Sequence, residues 1–231
     1  MDFSHIDRNV ADVRRRIEAA AVSAGRDAQD VTLMAAVKYV DTEAVNYLIT
    51  HCGVHDIGEN RVQQLLERWD TLARDDVRVH FIGSLQTNKV KYIVDKVCMI
   101  HSVDSLRLAE EIERQCAKRD IVMDVLVEIN CGREENKTGV LPEDAEALCL
   151  EVAKMPHLRL RGFMTMAPKC QNNAEYEKYF TETYNLIIDI WKEKLYNIER
   201  PIISMGMSGS FETAVRCGST CVRVGSLLFA E

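Results

Sequence analysis

Short apolar segments alternate with longer amphipathic segments along most of this chain. The first apolar run covers residues 32–38, and Asp41 follows three positions later as the capping residue of a helical pattern. Before them, residues 4–25 place apolar side chains at helical spacing between a candidate cap, Ser4, and a stop at Gly25. The pattern predicts an amino-terminal helix, then a strand, then a second helix.

The alternation of strand and helix patterns continues to the end of the chain. The predicted strands cover residues 32–38, 55–58, 77–83, 98–103, 124–130, 158–166, 202–207 and 221–224. The predicted helices between them cover residues 41–49, 61–73, 87–97, 105–118, 142–155, 174–195 and 211–217. Strands that alternate with helices favour a parallel sheet, and their nearly continuous apolar character indicates burial on both faces.

Eight such units favour a closed barrel over an open sheet. We therefore predict that residues 1–231 form a single α/β domain, a (β/α)₈ TIM barrel with an extra amino-terminal helix. An open doubly wound sheet is the alternative. It is less well supported, because no Gly-x-Gly-x-x-Gly sequence follows the first strand and no linker separates two halves.

Composition excludes several classes of function. The chain has 29 basic and 36 acidic residues, and the basic ones are scattered, so we expect no nucleic-acid partner. No apolar run reaches the roughly 20 residues of a membrane span. The chain begins without a signal sequence, so we expect a cytoplasmic protein with no membrane partner. Eight cysteines without a Cys-x-x-Cys pair indicate reduced thiols.

One pair of histidines has a spacing that metal sites use. His51 and His55 are four residues apart, which suits a metal only on a continuous helix. Gly53 lies between them and indicates a helix end. We therefore predict no metal site.

Polar residues follow the predicted strands at the end where barrels carry their chemistry. Lys38 ends the first strand and shares a face with Met34 and Ala36, so the alternation points it into the barrel mouth. Partial desolvation there would keep more of the amine uncharged and able to attack an aldehyde. An exposed loop lysine is the other interpretation. Asn60 follows the second strand in the same way.

The last two strands are followed by turns rich in small residues. Gly206, Ser208 and Gly209 lead into a short helix, and Gly225 and Ser226 follow the eighth strand. Such turns offer backbone amides and hydroxyls to an anion, and barrels commonly bind phosphate between the loops after strands seven and eight. Each turn alone could be explained as a tight connection.

Arg223 lies in the eighth strand on the same face as Cys221, whereas Val222 and Val224 face the other way. That face is the predicted barrel interior, where a guanidinium needs a partner. A ligand with a phosphate, a ring nitrogen and an aldehyde would use these turns, Arg223 and Lys38 together.

Several sequence segments resemble the pyridoxal phosphate homeostasis protein family. They are Ala35–Lys38, Ile57–Gln63, His80–Lys89, His101–Ser105, Gly162–Met166, Ser204–Ser208 and Gly218–Gly225. The resemblance implies a barrel like the N-terminal domain of alanine racemase, with pyridoxal 5′-phosphate (PLP) bound as a Schiff base to Lys38. It further implies a cofactor site that includes Asn60, Met205, Gly206, Ser208, Gly209, Arg223, Gly225 and Ser226.

The resemblance places Ser208, Gly225 and Ser226 at the phosphate and Arg223 at the pyridine nitrogen. The chain departs from the family pattern at Ser210, where Asp is usual, but Ser is a comparable helix cap. Lys137, in a loop after the fifth strand, is interpreted as a solvated lysine, with assistance in cofactor transfer as the alternative.

An arginine at the pyridine nitrogen opposes protonation of the ring and weakens the electron sink of PLP chemistry. Racemases of this fold also take a tyrosine base from an additional β domain, which we expect to be absent because residue 231 closely follows the eighth strand. We therefore predict a carrier without turnover, monomeric or weakly dimeric, that serves PLP-dependent apo-enzymes. The alternatives are an amino-acid racemase and a phosphosugar barrel enzyme with a different Schiff base at Lys38.

Overall fold

The computed structural model describes residues 2–75, 77–194 and 200–231. Its strands follow one another around a closed barrel, each parallel to its neighbours, and the last pairs with the first. They are β1 (Thr32–Ala36), β2 (Asp56–Glu59), β3 (Arg78–Phe81), β4 (Met99–Val103), β5 (Met123–Ile129), β6 (Leu158–Thr165), β7 (Ile202–Met207) and β8 (Cys221–Val224). The predicted α/β TIM barrel is confirmed.

Helices connect the strands on the outside of the barrel. They are α1 (Ser4–Ser23), α2 (Thr42–Thr50), α3 (Val62–Arg68), α4 (Leu106–Ala117), α5 (Ala145–Val152), α6 (Asn173–Lys194), α7 (Phe211–Arg216) and α8 (Ser226–Phe229). Within the described ranges, every helix is too short or too polar to cross a lipid bilayer. The predicted helix over residues 174–195 extends one residue into a part of the chain outside the described residues.

The connection between β3 and β4 corrects one prediction. Residues 87–97 were expected to form an α-helix, but only Thr87–Tyr92 are helical, and they form a 3₁₀-helix. Branched side chains at Val90, Ile93 and Val94 disfavour a regular α-helix here while still supplying buried contacts.

The start of helix α1 differs from the prediction, whereas its end agrees with it. Ser4 is the first helical residue rather than the cap, because the Asp2 carboxylate, two residues earlier, accepts a hydrogen bond from the Ser4 amide at 2.8 Å. The predicted stop is confirmed, since Gly25 adopts a left-handed φ of 67°. The helix buries an apolar stripe and joins α7 through an ion pair of 2.9 Å between Arg16 and Glu212.

The alternation of side chains along the strands separates two apolar regions. The larger one lies between the strands and the helices and includes Ala35, Val222 and Val224. Side chains of opposite direction form two smaller clusters inside the barrel, one around Met34 and Cys221 and the other comprising Met99, Leu126 and Met164. Arg223 shares the interior direction with Met34 and Cys221, as the sequence predicts.

One close backbone approach joins the exits of β2 and β3. Gly83 follows β3, and a Cβ atom added there would lie 2.1 Å from the carbonyl oxygen of Asn60. Only glycine fits, because the obstacle is backbone rather than a movable side chain. The position of Asn60 therefore depends on Gly83.

We expect Gly83→Ala to lower the free energy of unfolding by about 3 kcal/mol, because the chain must shift to admit the new methyl group. Urea unfolding of the cofactor-free protein measures this loss. Gly209→Ala is the matched control, since a Cβ there meets no atom within 4 Å. Equal losses in the two variants would contradict the interpretation.

Candidate functional site

Lys38 lies on the turn that follows β1, not on the strand itself. The strand ends at Ala36, two residues earlier than predicted, and the Lys38 side chain is exposed. The predicted desolvation of Lys38 is therefore wrong. The physical reason is the turn at the next residue, which carries the chain out of the sheet. The amine is therefore open to solvent.

Tyr39 makes that turn with a left-handed φ of 63°, which is unfavourable for a residue with a side chain. Arg61 stabilises it from the start of α3. Its guanidinium lies 5.0 Å from the centre of the Tyr39 ring and donates a hydrogen bond of 2.8 Å to the hydroxyl. The turn that carries Lys38 is thus tied to the exit of β2. The sequence analysis missed this pair, which no spacing rule indicates.

Asn60 directly follows β2, as predicted. Its side-chain oxygen Oδ1 is buried and has no hydrogen-bond partner among the described residues. A buried acceptor without a donor is costly unless a ligand or water supplies one. Asn60 therefore offers a free acceptor at the edge of the barrel mouth.

The turns after β7 and β8 are joined by a hydrogen bond. The amide of Gly225 donates to the Ser208 hydroxyl at 3.2 Å. A Cβ atom at Gly225 would lie 2.9 Å from the carbonyl oxygen of Ala36, so this turn packs closely against the exit of β1. Gly209 faces open space, and Ser226 begins α8. These four predicted residues lie together.

Two other predicted residues serve the packing of this region. The Met205 side chain is fully buried in the core between strands and helices, so it does not face the mouth. Gly206 has a φ of 93°, and a Cβ there would lie 2.5 Å from the Cβ of Ala214 in α7. Ser210 stands at the predicted cap position of α7, but its hydroxyl accepts from the Met207 amide instead of a helical amide.

Arg223 is buried inside the barrel with 4% of its surface exposed. Its two terminal nitrogens donate hydrogen bonds to Ser204 Oγ at 2.7 Å and to the Thr165 carbonyl oxygen at 2.8 Å. Both acceptors are uncharged, and no carboxylate of the described residues forms an ion pair with Arg223. Burial lowers the pKa of the guanidinium below its usual value. The positive charge is therefore anchored but not neutralised.

The order of strands brings most of these residues to one side of the mouth. β7, β8, β1 and β2 are consecutive neighbours in the closed barrel. Ser208, Gly225, Lys38 and Asn60 follow these four strands in that order. The site thus combines an exposed lysine, two turns rich in glycine and serine, and a buried guanidinium.

Glu128 is a buried carboxyl of β5 that the sequence analysis missed. Burial raises its pKa to about 7, although a hydrogen bond of 2.7 Å from the Thr138 hydroxyl acts in the opposite direction. Its second oxygen has no hydrogen-bond partner among the described residues. The positive charge of Arg223 also acts to lower the pKa of Glu128. Glu128 lies two residues after Leu126 in β5, so both side chains point into the barrel interior. This alternation was the signal available in the sequence. Lys137, one residue before Thr138, is exposed, in agreement with its interpretation as a solvated lysine.

The two histidines considered for a metal lie outside this region. His51 follows the end of α2, and His55 precedes β2, with Gly53 at a left-handed φ of 60° between them. The predicted helix end is confirmed. Within the described part of the chain, no group of three or more His, Cys, Asp or Glu side chains is arranged to bind a metal.

The fold and the site define a class of protein, a (β/α)₈ barrel with an exposed lysine and turns rich in glycine and serine at the carboxyl ends of its strands. Residues 1–231 match the family described as alanine racemase, N-terminal domain. A pyridoxal phosphate homeostasis protein of Aquifex aeolicus is 42% identical over 219 residues, which cover 95% of each chain.

Solved structures agree with this match. An unknown protein from Bifidobacterium adolescentis superposes with a TM-score of 0.93 at 33% identity, over 99% of this chain and 97% of the other. PipY of Synechococcus elongatus PCC7942 with PLP bound superposes with a TM-score of 0.81 at 27% identity, over 97% and 100% of the two chains. The chain belongs to the alanine racemase N-terminal domain family and, within it, to the pyridoxal phosphate homeostasis proteins.

Because the pKa of Glu128 is raised from 4.5 to about 7, the folded protein keeps a proton that the unfolded chain loses in this pH range. The free energy of unfolding therefore falls as pH rises through this window and is level above it. We expect Glu128→Gln to be more stable than the wild type at about pH 8 by on the order of 2–3 kcal/mol, and nearly equal at about pH 4.

Urea unfolding of the cofactor-free protein across this pH range measures the difference. Glu135→Gln provides the control, since this residue is exposed in the neighbouring loop. A stability gain that does not depend on pH would show that Glu128 is ionised in the folded protein.

Proposed function

We propose that this protein binds PLP through Lys38 and retains it without turnover, as a cytoplasmic reserve from which PLP-dependent apo-enzymes are supplied. Residues 1–231 act as one binding domain, monomeric or weakly dimeric. The observation that carries the proposal is the buried, anchored charge of Arg223 beneath a mouth that offers an amine and an anion cradle.

The residues around the mouth fit the three functional groups of PLP. When bound, the cofactor supplies an aldehyde that a lysine amine attacks. The exposed Nζ of Lys38 is the amine that can reach it. The Ser208 and Ser226 hydroxyls and the amides near Gly209 and Gly225 would bind the phosphate, as the loops after strands seven and eight do in many barrels. Asn60 would use its free oxygen beside the ring.

Arg223 decides between retention and catalysis in this proposal. Its guanidinium cannot accept a proton, so it would meet the ring nitrogen only as a donor. A fixed positive charge there disfavours a second one on the ring. The ring withdraws electrons strongly when its nitrogen is protonated, and this protonation is what Arg223 opposes. The interior of the barrel therefore supports binding better than amino-acid chemistry.

The relatives support the cofactor. PipY, which covers nearly all of this chain, has PLP bound in its structure, and the relative from Aquifex aeolicus bears the name of a PLP homeostasis protein. A racemase remains the second candidate, because the family takes its name from alanine racemase. Inversion of L-alanine by the loaded protein, followed by chiral chromatography, would favour that candidate.

We expect the purified protein with added PLP to absorb at about 420 nm, as a lysine-linked pyridoxal group does. Lys38→Ala should lose the band, and borohydride should fix the cofactor to the wild type only. Mass spectrometry of the reduced protein identifies the modified lysine.

Lys154→Ala is the matched control, since Lys154 is exposed two residues after the end of α5 and pairs with Glu151. It should keep the band. Absence of the band in the wild type after PLP is added would refute the proposed function, and modification of another lysine would refute the role of Lys38.

The phosphate contacts can be tested separately from the lysine. Ser208→Ala should weaken the binding of PLP about tenfold, because a hydroxyl that bonds a charged group is lost. Its effect on pyridoxal, which lacks the phosphate, should be less than about twofold. Fluorescence titration with the two ligands gives both affinities. An equal loss for both would place Ser208 away from the phosphate.

A further inference from the structure

A continuous chain of buried side chains crosses the barrel interior from Arg223 to the opposite end. Ser204 Oγ, which accepts from Arg223, lies 3.2 Å from His101 Nδ1. His101 Nε2 lies 3.0 Å from His80 Nδ1, and His80 Nε2 lies 3.0 Å from Asp56 Oδ1. Each of the five residues is at most 7% exposed. They lie on β8, β7, β4, β3 and β2, so no local turn or cap explains the arrangement.

The far end of the chain is a charged group that faces solvent. Arg78 is largely exposed and forms two hydrogen bonds to the Asp56 carboxylate, at 2.7 and 2.5 Å. Burial alone would raise the pKa of Asp56, but its hydrogen bonds from His80 and Arg78 outweigh burial and lower the pKa to about 2. Asp56 is therefore a carboxylate at neutral pH and accepts from His80.

The positions of the protons on the two histidines and Ser204 follow from the ionised Asp56 carboxylate. If His80 is neutral and donates from Nε2 to Asp56, its Nδ1 must accept, so His101 donates from Nε2. His101 Nδ1 then accepts the proton of the Ser204 hydroxyl. Burial holds the pKa of His101 well below its usual value, which agrees with a neutral ring. The oxygen of Ser204 is left with its lone pairs directed to Arg223.

This arrangement aligns every donor from Arg223 toward Asp56. Aligned hydrogen bonds polarise one another, which matters most where no solvent screens them. Among the described residues no carboxylate forms an ion pair with Arg223, so the row of hydrogen bonds connects its charge to that of Asp56 across the barrel. Without His101, the Ser204 hydroxyl could rotate and its proton could face the guanidinium.

We propose that Ser204, His101 and His80 are positioning residues that hold the Arg223 guanidinium in the orientation in which it meets the ring nitrogen of bound PLP. The inference rests on the proposed function. It assigns a role to His101, which is hydrogen-bonded to Ser204, and to His80, which is hydrogen-bonded to His101.

The proton arrangement is tested first in the cofactor-free protein. Long-range ¹H–¹⁵N NMR with labelled histidine distinguishes the two neutral ring forms. We expect His80 and His101 to carry their protons on Nε2, and Ser204→Ala to shift the His101 Nδ1 signal. A proton on His101 Nδ1 would overturn the proposal, because Ser204 would then receive a donor from both sides.

The effect on the cofactor is tested with PLP labelled at the ring nitrogen. Ser204→Ala should shift the ¹⁵N signal of that nitrogen and increase the rate of PLP dissociation about tenfold. Ser204→Thr, which restores the hydroxyl, should recover both values. The matched control is Ser102→Ala, since Ser102 is a buried residue of β4 whose hydroxyl has no hydrogen-bond partner in the described part of the chain. It should change neither value.

Circular dichroism and thermal unfolding establish that each variant folds. If Ser204→Ala does not fold, His101→Gln breaks the chain at the next position and should shift the same signals. If the wild type binds PLP and the variants match Ser102→Ala, the inference alone is overturned. If the wild type binds no PLP, the proposed function fails as well. The histidine spectra still report whether the hydrogen bonds from Arg223 to Asp56 are formed.

Discussion

The pairing of β1 with β8 is the contact on which the rest of this site depends. It closes the barrel with Thr32 opposite Cys221 and Met34 opposite Arg223. Closure removes the free strand edges and places the exits of the first and last strands side by side. The turn that carries Lys38 therefore lies next to the turn at Gly225, although the two are far apart in the sequence. An open sheet of the same strands would separate them.

The same register decides which side chains enter the interior. A shift of one residue in β8 would exchange Arg223 for Val222 or Val224, both of which belong to the outer core. The guanidinium would then face the apolar core, and the interior would lose the hydrogen bond between Arg223 and Ser204. The apolar outer core thus enforces the polar interior, because the register that buries Val222 and Val224 directs Arg223 inward.

Sequence patterns were sufficient for the barrel, since eight apolar runs and the helices between them are local features. The direction of Arg223 was also predictable, because alternation along β8 is strict. Local patterns could not predict the exposure of Lys38, since the turn at Tyr39 depends on Arg61 of another element. Glu128, His80 and His101 were missed for a related reason. Alternation along a strand can indicate that such a side chain faces the interior, but its burial and partners arise only when distant strands meet there.

The interior charges are consistent with binding in preference to turnover under the proposed function. Proton transfer at a bound ring would need an acid near the ring nitrogen, and Arg223 is a donor that retains its proton. Glu128, a buried carboxyl on which the charge of Arg223 acts, has its pKa raised to about 7, so it is the group that a proton transfer would have to use. The ionised carboxylate of Asp56 lies beyond two histidines and a serine, so its charge reaches Arg223 only through oriented hydrogen bonds. Under the proposed function, an interior built in this way orients one positive charge toward the bound ring.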